Sequence, residues 1–136
     1  MTQPNVSVNP SNRMQIAASA FTPDPGGSGN GPIFLSNDGG RTWNLSIVLP
    51  GGNRTVDITI RFSTLSNVLY AGIIRQDDDN LNILRKNNIL LPGLMTVLES
   101  RADDDQPYVE AATVSGGAGA GNDRVYVGHN DLSQSG

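Results

Sequence analysis

The sequence predicts an all-β protein, and three observations carry that expectation. Apolar residues seldom recur at the i, i+3, i+4, i+7 spacing of an amphipathic helix. Short alternating or β-branched runs recur throughout, and clusters of turn-forming residues separate them. With 16 glycines and 8 prolines among 136 residues, and 16% charged against 37% hydrophobic, the chain is turn-rich without reaching low complexity.

Taken in order, the expected strands are Val6–Val8, Met14–Phe21, Pro32–Ser36, Trp43–Leu49, Thr55–Phe62, Val68–Ile74, Asn82–Lys86, Met95–Glu99, Tyr108–Val114 and Arg124–Gly128. The second and third are parted by Thr22-Pro23-Asp24-Pro25 and a glycine-rich run to Gly31. The fourth and fifth are parted by Pro50-Gly51-Gly52-Asn53, and the last two by Ser115–Asn122. All three connections have turn or loop chemistry. Asn88–Glu99 is the one stretch able to hold a helical turn, and Pro92-Gly93 inside it argues against one.

Internal similarity organises these strands. Asn67-Val68-Leu69-Tyr70-Ala71-Gly72 is echoed 56 residues on by Asp123-Arg124-Val125-Tyr126-Val127-Gly128, and more loosely by the segment from Asn12 to Ala18. Each echo follows a short alternating strand, and those strands start near 6, 58 and 108. A period near 50 in an all-β chain is the length of one four-stranded propeller blade. The expected architecture is an incomplete β-propeller of about two to three four-stranded antiparallel blades, with units at 1–53, 54–102 and a truncated 103–136. Closed propellers need four or more blades, so further blades of the same chain or identical copies are the expected partners. If no further repeats flank the segment, a β-sandwich is the alternative.

Ser36-Asn37-Asp38-Gly39-Gly40-Arg41-Thr42-Trp43 fits the pattern S-x-D-x-G-x-x-W. Even with Thr and Phe allowed as alternatives, these four positions arise by chance in roughly one in a few hundred chains of this length at average residue usage. The stretch resembles the Asp-box, the bacterial neuraminidase repeat of sialidase-like β-propellers. In that family it joins the third and fourth strands of a blade, here Pro32–Ser36 and Trp43–Leu49. Residue type assigns the roles. Asp38 can accept bonds from amides that follow it, Gly39 and Gly40 supply positions of positive φ, Ser36 can bond across the turn, and Trp43 can cover the hairpin. Asp105-Gln106-Pro107-Tyr108 is similar to the Asp-x-Pro-aromatic strand entry of such blades. The corresponding hairpin of the second unit, near Leu84–Asn88, has lost the motif.

The resemblance implies a structural role for the Asp-box residues Ser36, Asp38, Gly40 and Trp43. Sialidase chemistry in the family requires three arginines, a Tyr–Glu nucleophile pair and an Asp acid, of which the arginines suit bidentate carboxylate recognition. No complete set is visible here. Glu99 and Glu110 are the only glutamates, and neither has a tyrosine assignable from spacing, so both read as surface or strand-edge residues.

Asp77, Asp78 and Asp79, and again Asp103, Asp104 and Asp105, stand in a repeated R-x-D-D-D pattern. They are weak calcium candidates, because adjacent carboxylates lack the alternate spacing of an EF-hand loop; solvated hairpin loops are the favoured reading. His129, the sole histidine, reads as a surface loop residue. No cofactor is implied.

Nine basic against 13 acidic residues give a net charge of −4 with no basic patch, which disfavours nucleic-acid binding. No cysteine means no disulfide and no thiolate chemistry. No apolar run approaches a membrane span, and the N-terminus has no signal-peptide pattern. Three function classes remain. The first is a non-catalytic propeller segment acting as scaffold, or as a glycan or protein recognition surface, in a larger extracellular or cell-surface protein. The second is part of a sialidase or related glycoside hydrolase whose catalytic residues lie mostly elsewhere. The third is a self-assembling blade module.

Overall fold

The computed structural model describes residues 4–19, 33–46, 55–75 and 80–134. They form three antiparallel sheets in chain order. The first holds β1 (Asn5–Val8), β2 (Ile16–Ser19), β3 (Ile33–Ser36) and β4 (Asn44–Ser46). The second holds β5 (Thr55–Phe62), β6 (Leu69–Arg75), β7 (Leu81–Lys86) and β8 (Thr96–Arg101). The third is the hairpin of β9 (Asp104–Thr113) and β10 (Asp123–Asp131), followed by a short 3-10 turn at Leu132–Gln134. Each strand pairs with its sequence neighbour, so both four-stranded sheets are simple meanders. The described residues are all-β, and among them no sheet closes on itself.

Burial explains why the second sheet carries the longest apolar runs. It lies between the other two and is covered on both faces, so its strands need not alternate. On one side Ile58, Ile60 and Phe62 of β5 and Leu69, Ala71 and Ile73 of β6 pack with Ala17, Ile33 and Leu35 of the first sheet. On the other side Tyr70, Ile74, Leu81 and Ile83 meet Val109 and Ala111 of β9, with Val125 and Val127 alongside. Each fully buried aliphatic side chain in these layers contributes about 1.5–3 kcal/mol. The hairpin, covered on one face only, alternates cleanly along β10.

Polar side chains lock successive first strands together. The Ile60 amide donates to Asn5 Oδ1 at 3.2 Å and the Phe62 amide to Ser7 Oγ at 2.9 Å, joining β5 to β1. Beyond these strands, Asn9 Nδ2 donates to Asn67 Oδ1 at 2.8 Å. Around the next sheet the Asp123 carboxylate collects four hydroxyls. Ser63 and Thr113 donate to Oδ1 at 2.6 and 2.7 Å, and Ser66 and Tyr70 to Oδ2 at 2.6 and 2.9 Å.

Several expected boundaries shift for identifiable reasons. Met14 and Gln15 fall outside β2 because the Asn9–Gln15 segment folds into a turn, with the Asn9 amide on Gln15 O and the Gln15 amide on Asn12 O. The 87–95 stretch is turn and bend rather than helix. β9 starts at Asp104, four residues before the expected Tyr108, because a bulge carries the pairing through Asp104-Asp105: Asp105 pairs with Asn130 and Tyr108 with Gly128, leaving Gln106 and Pro107 opposite His129 alone. Gln106 takes φ 50° there. The expected loop at 22–31 and the Pro50–Asn53 turn lie outside the described residues.

Candidate functional site

The Ser36–Trp43 turn is built around one carboxylate. Asp38 Oδ1 accepts the Arg41 and Thr42 amides at 2.9 Å each and the Ser36 hydroxyl at 2.8 Å, while Oδ2 accepts the Thr42 hydroxyl at 2.6 Å. Ser36 Oγ in turn accepts the Gly40 amide at 2.9 Å. Gly39 and Gly40 adopt φ 73° and 89°, which turns the chain tightly enough for these amides to converge. Trp43 Nε1 donates to Gly40 O at 3.0 Å, and its ring lies against Gly40. The Thr42 hydroxyl and amide, then Ser36 and Arg41, pull the Asp38 carboxyl down to about 2. Both oxygens of Asp38 thus accept bonds from its own turn, which suits a fold device and leaves the carboxylate unfit for acid catalysis at neutral pH.

A second constellation joins β5 and β9. Arg61 Nε lies 3.2 Å from Glu110 Oε2, an Arg61 terminal nitrogen donates to Tyr108 OH at 3.3 Å, and Tyr108 OH reaches Glu110 Oε2 at 3.5 Å. The Arg61 guanidinium also stands 6.0 Å from the centre of the Tyr108 ring. Glu110, exposed on β9, has both a tyrosine and an arginine beside it, a pairing that spacing alone did not assign. Tyr108 and Glu110 are two apart on one strand and share a face; that signal was present in the sequence. Arg61 comes from another sheet, and no spacing rule reaches it. Tyr126 pairs opposite Glu110, so Tyr108 and Tyr126, 56% and 57% exposed, stand on the same open face of the hairpin.

Against protein-family profiles, curated proteins and solved structures, this chain matches none.

The acidic tract and the histidine behave differently from the expectation of solvated loops. Asp104 is buried, its side chain 0% exposed, with Oδ1 2.9 Å from His129 Nδ1 and Oδ2 3.5 Å from Arg101 Nε. These are ion-pair separations without the alignment of hydrogen bonds. His129 is not a loop residue: it sits in β10, where the alternation that turns Val125 and Val127 inward also turns its ring inward, and the bulge opposite it in β9 brings Asp104 onto the same side. Arg101 also lies 3.5 Å from Asp131, whose carboxyl is held below the usual range by the Ser133 hydroxyl, with the Ser133 amide, Arg101 and His129 adding to it. Asp104 therefore faces two basic groups rather than its neighbours Asp103 and Asp105. Among the described residues no cluster of three metal-ligating side chains is gathered. Asp77, Asp78 and Asp79 lie outside the described residues.

Proposed function

We propose that this chain is a run of blade-like units of a sialidase-like Asp-box β-propeller, acting as a non-catalytic scaffold with a glycan or protein recognition surface in a larger extracellular protein. The observation that carries the reading is the Asp38-centred turn joining the third and fourth strands of a four-stranded antiparallel meander. It is supported by a second meander and a hairpin that follow in chain order, with β1, β5 and β9 side by side. The outward face of the first sheet is apolar, with Val6 59% exposed in a row with Ala18, Phe34 and Leu45, and it favours a further blade or an identical copy as neighbour. Among the described residues no helix is long and apolar enough to cross a membrane.

The recognition surface we assign is the open face of β9 and β10, where Tyr108 and Tyr126 offer flat amphipathic rings beside Glu110 and Arg124. Saturation-transfer NMR with sialylated and neutral oligosaccharides tests it. Transfer that disappears in Tyr126→Ala supports the glycan reading, and no transfer from any oligosaccharide removes it. Light scattering tests self-assembly, since a strictly monomeric species at micromolar concentration excludes ring completion by copies.

The Arg61–Tyr108–Glu110 grouping favours a second reading, a contribution to a glycosidase site. Turnover of a fluorogenic sialoside that is lost in Glu110→Gln supports it; turnover unchanged by that substitution, or no turnover by the parent protein, discards it.

A further inference from the structure

Lys86, the sole lysine of the chain, ends β7 with its side chain largely inside the protein, only 7% of the residue being exposed. Its Nζ donates to Gly93 O at 2.8 Å, and no carboxylate among the described residues lies within ion-pairing distance. One backbone carbonyl serves one of three ammonium protons, and a buried charge without a counter-charge is costly. The same side chain lines a cavity of about 550 Å³, within the range that holds small organic ligands.

That cavity lies between the outer part of the first sheet and the turn linking β7 to β8. Leu35, Ile89 and Leu94 supply apolar wall, and Asn44 and Ser46, on the Leu35 side of the first sheet, polar rim. Leu94 is exposed, so the apolar lining reaches the mouth. A cationic group at the inner wall and hydrocarbon around it are complementary to one kind of molecule, an anion with an apolar body.

We propose that this cavity binds a small amphipathic monocarboxylate, its carboxylate on the Lys86 ammonium and its hydrocarbon between Leu35, Ile89 and Leu94. The carboxylate supplies the counter-charge and the acceptors that the protein leaves out, in a charge-assisted bond stronger than a neutral one. Burial lowers the Lys86 pKa, and a bound anion reverses that effect by favouring the charged form. The cavity borders the Asp38 turn through Ser36 and Asn37 but includes none of Arg61, Tyr108 and Glu110, and its proposed ligand does not depend on the chain belonging to a propeller.

Octanoate, 1-octanol and octylammonium are the probes, titrated into the 13C-labelled protein and followed at the single lysine ε-carbon signal and by calorimetry. The expected result is a saturable shift of the Lys86 signal by octanoate, with affinity at least about tenfold above that for octanol and no binding of octylammonium. Lys86→Met is expected to lose that preference while still accepting octanol, and Leu94→Asp to weaken octanoate by placing a like charge at the mouth. An unmoved Lys86 signal at millimolar octanoate overturns the proposal, as does equal affinity for octanoate and octanol, or unchanged octanoate binding by a folded Lys86→Met protein. The wild-type titration decides alone if Lys86→Met fails to fold.

Discussion

Asn67 and Asp123 stand in the same place in successive sheets: each leads into the second strand of its own sheet and accepts a hydrogen bond from the first turn of the sheet before, Asn67 from Asn9 and Asp123 from Ser63 and Ser66. The donors correspond too, since Asn9 and Ser63 are the fully buried residues that follow β1 and β5. A 56-residue echo in the sequence is thus a recurring latch between neighbouring sheets.

The Asp123 latch holds the hairpin onto the second sheet, and its loss is expected to be costly. Burial alone pushes the Asp123 carboxyl up, but the Ser63, Ser66, Thr113 and Tyr70 hydroxyls outweigh it and hold the group below the usual range. On the Tyr70 side, burial first and the Asp123 bond second push the phenol up to about 12. Asp123→Ala leaves four hydroxyls without their acceptor and is expected to cost about 3 kcal/mol, with Asp123→Asn retaining part of it. Urea unfolding measures both. An Asp123→Ala protein with the parent's midpoint and slope refutes the latch.

Asp38 offers a pH test. Its folded pKa of about 2 lies below the unfolded value near 4, so its contribution to stability is fully present above about pH 4 and is lost as pH falls through about 2. Thr42 is the largest source of the depression, and Thr42→Val removes its hydroxyl while keeping its amide. The carboxyl resonance of Asp38 is expected to titrate near 2 in the parent and distinctly higher in the variant. A parent midpoint near 4, or one that Thr42→Val leaves in place, contradicts the hydrogen-bond account.

Strands and turns were legible in the sequence because alternation and turn residues act locally: all ten expected strands are present, with ends moved by a few residues. The chemistry of the Asp38 turn was legible for the same reason, every partner of its carboxylate lying within four residues. Contacts between sheets were not. Arg61 meets Glu110 across 49 positions, and nothing in either strand names the other. The burial of Asp104 beside His129 depends on a bulge at Gln106-Pro107, where one extra residue decides which side chains of β9 face inward. An acidic tract reads as solvated until such a bulge buries one of its members. Period and motif pointed to a blade-like unit, yet closure into a ring depends on surfaces that local patterns do not encode.

The Asp104–His129 pair is expected to behave as a buried couple. Removing His129 leaves a fully buried carboxylate with only Arg101, itself about half exposed, at 3.5 Å. His129→Ala is expected to cost about 3 kcal/mol, at the low end for breaking a buried pair because Arg101 remains. Replacing both residues with leucine removes the stranded charge, so the double variant is expected to be more stable than the sum of the single changes implies. Strict additivity in chemical unfolding would show that the two groups do not interact.

Gly72 marks the closest approach between the second sheet and the hairpin. A Cβ built on it would stand 3.0 Å from Val109 Cγ2, 3.1 Å from Thr59 Cγ2 and 3.3 Å from Pro107 Cβ, three contacts tighter than packed side chains normally make. Gly72 lies in β6 on the face that carries Tyr70 and Ile74, so the methyl group has no route away from the hairpin. Gly72→Ala is therefore expected to overpack the interface and cost about 1–3 kcal/mol. Val109→Ala removes the nearest of the three atoms, and in its presence the alanine at 72 fills space that the valine has vacated. The double variant is expected to be less destabilised than the two single variants together, by more than the roughly 0.5 kcal/mol within which independent sites add. Urea midpoints of the four proteins measure the coupling, and additive values would place the hairpin farther from β6 than these contacts require.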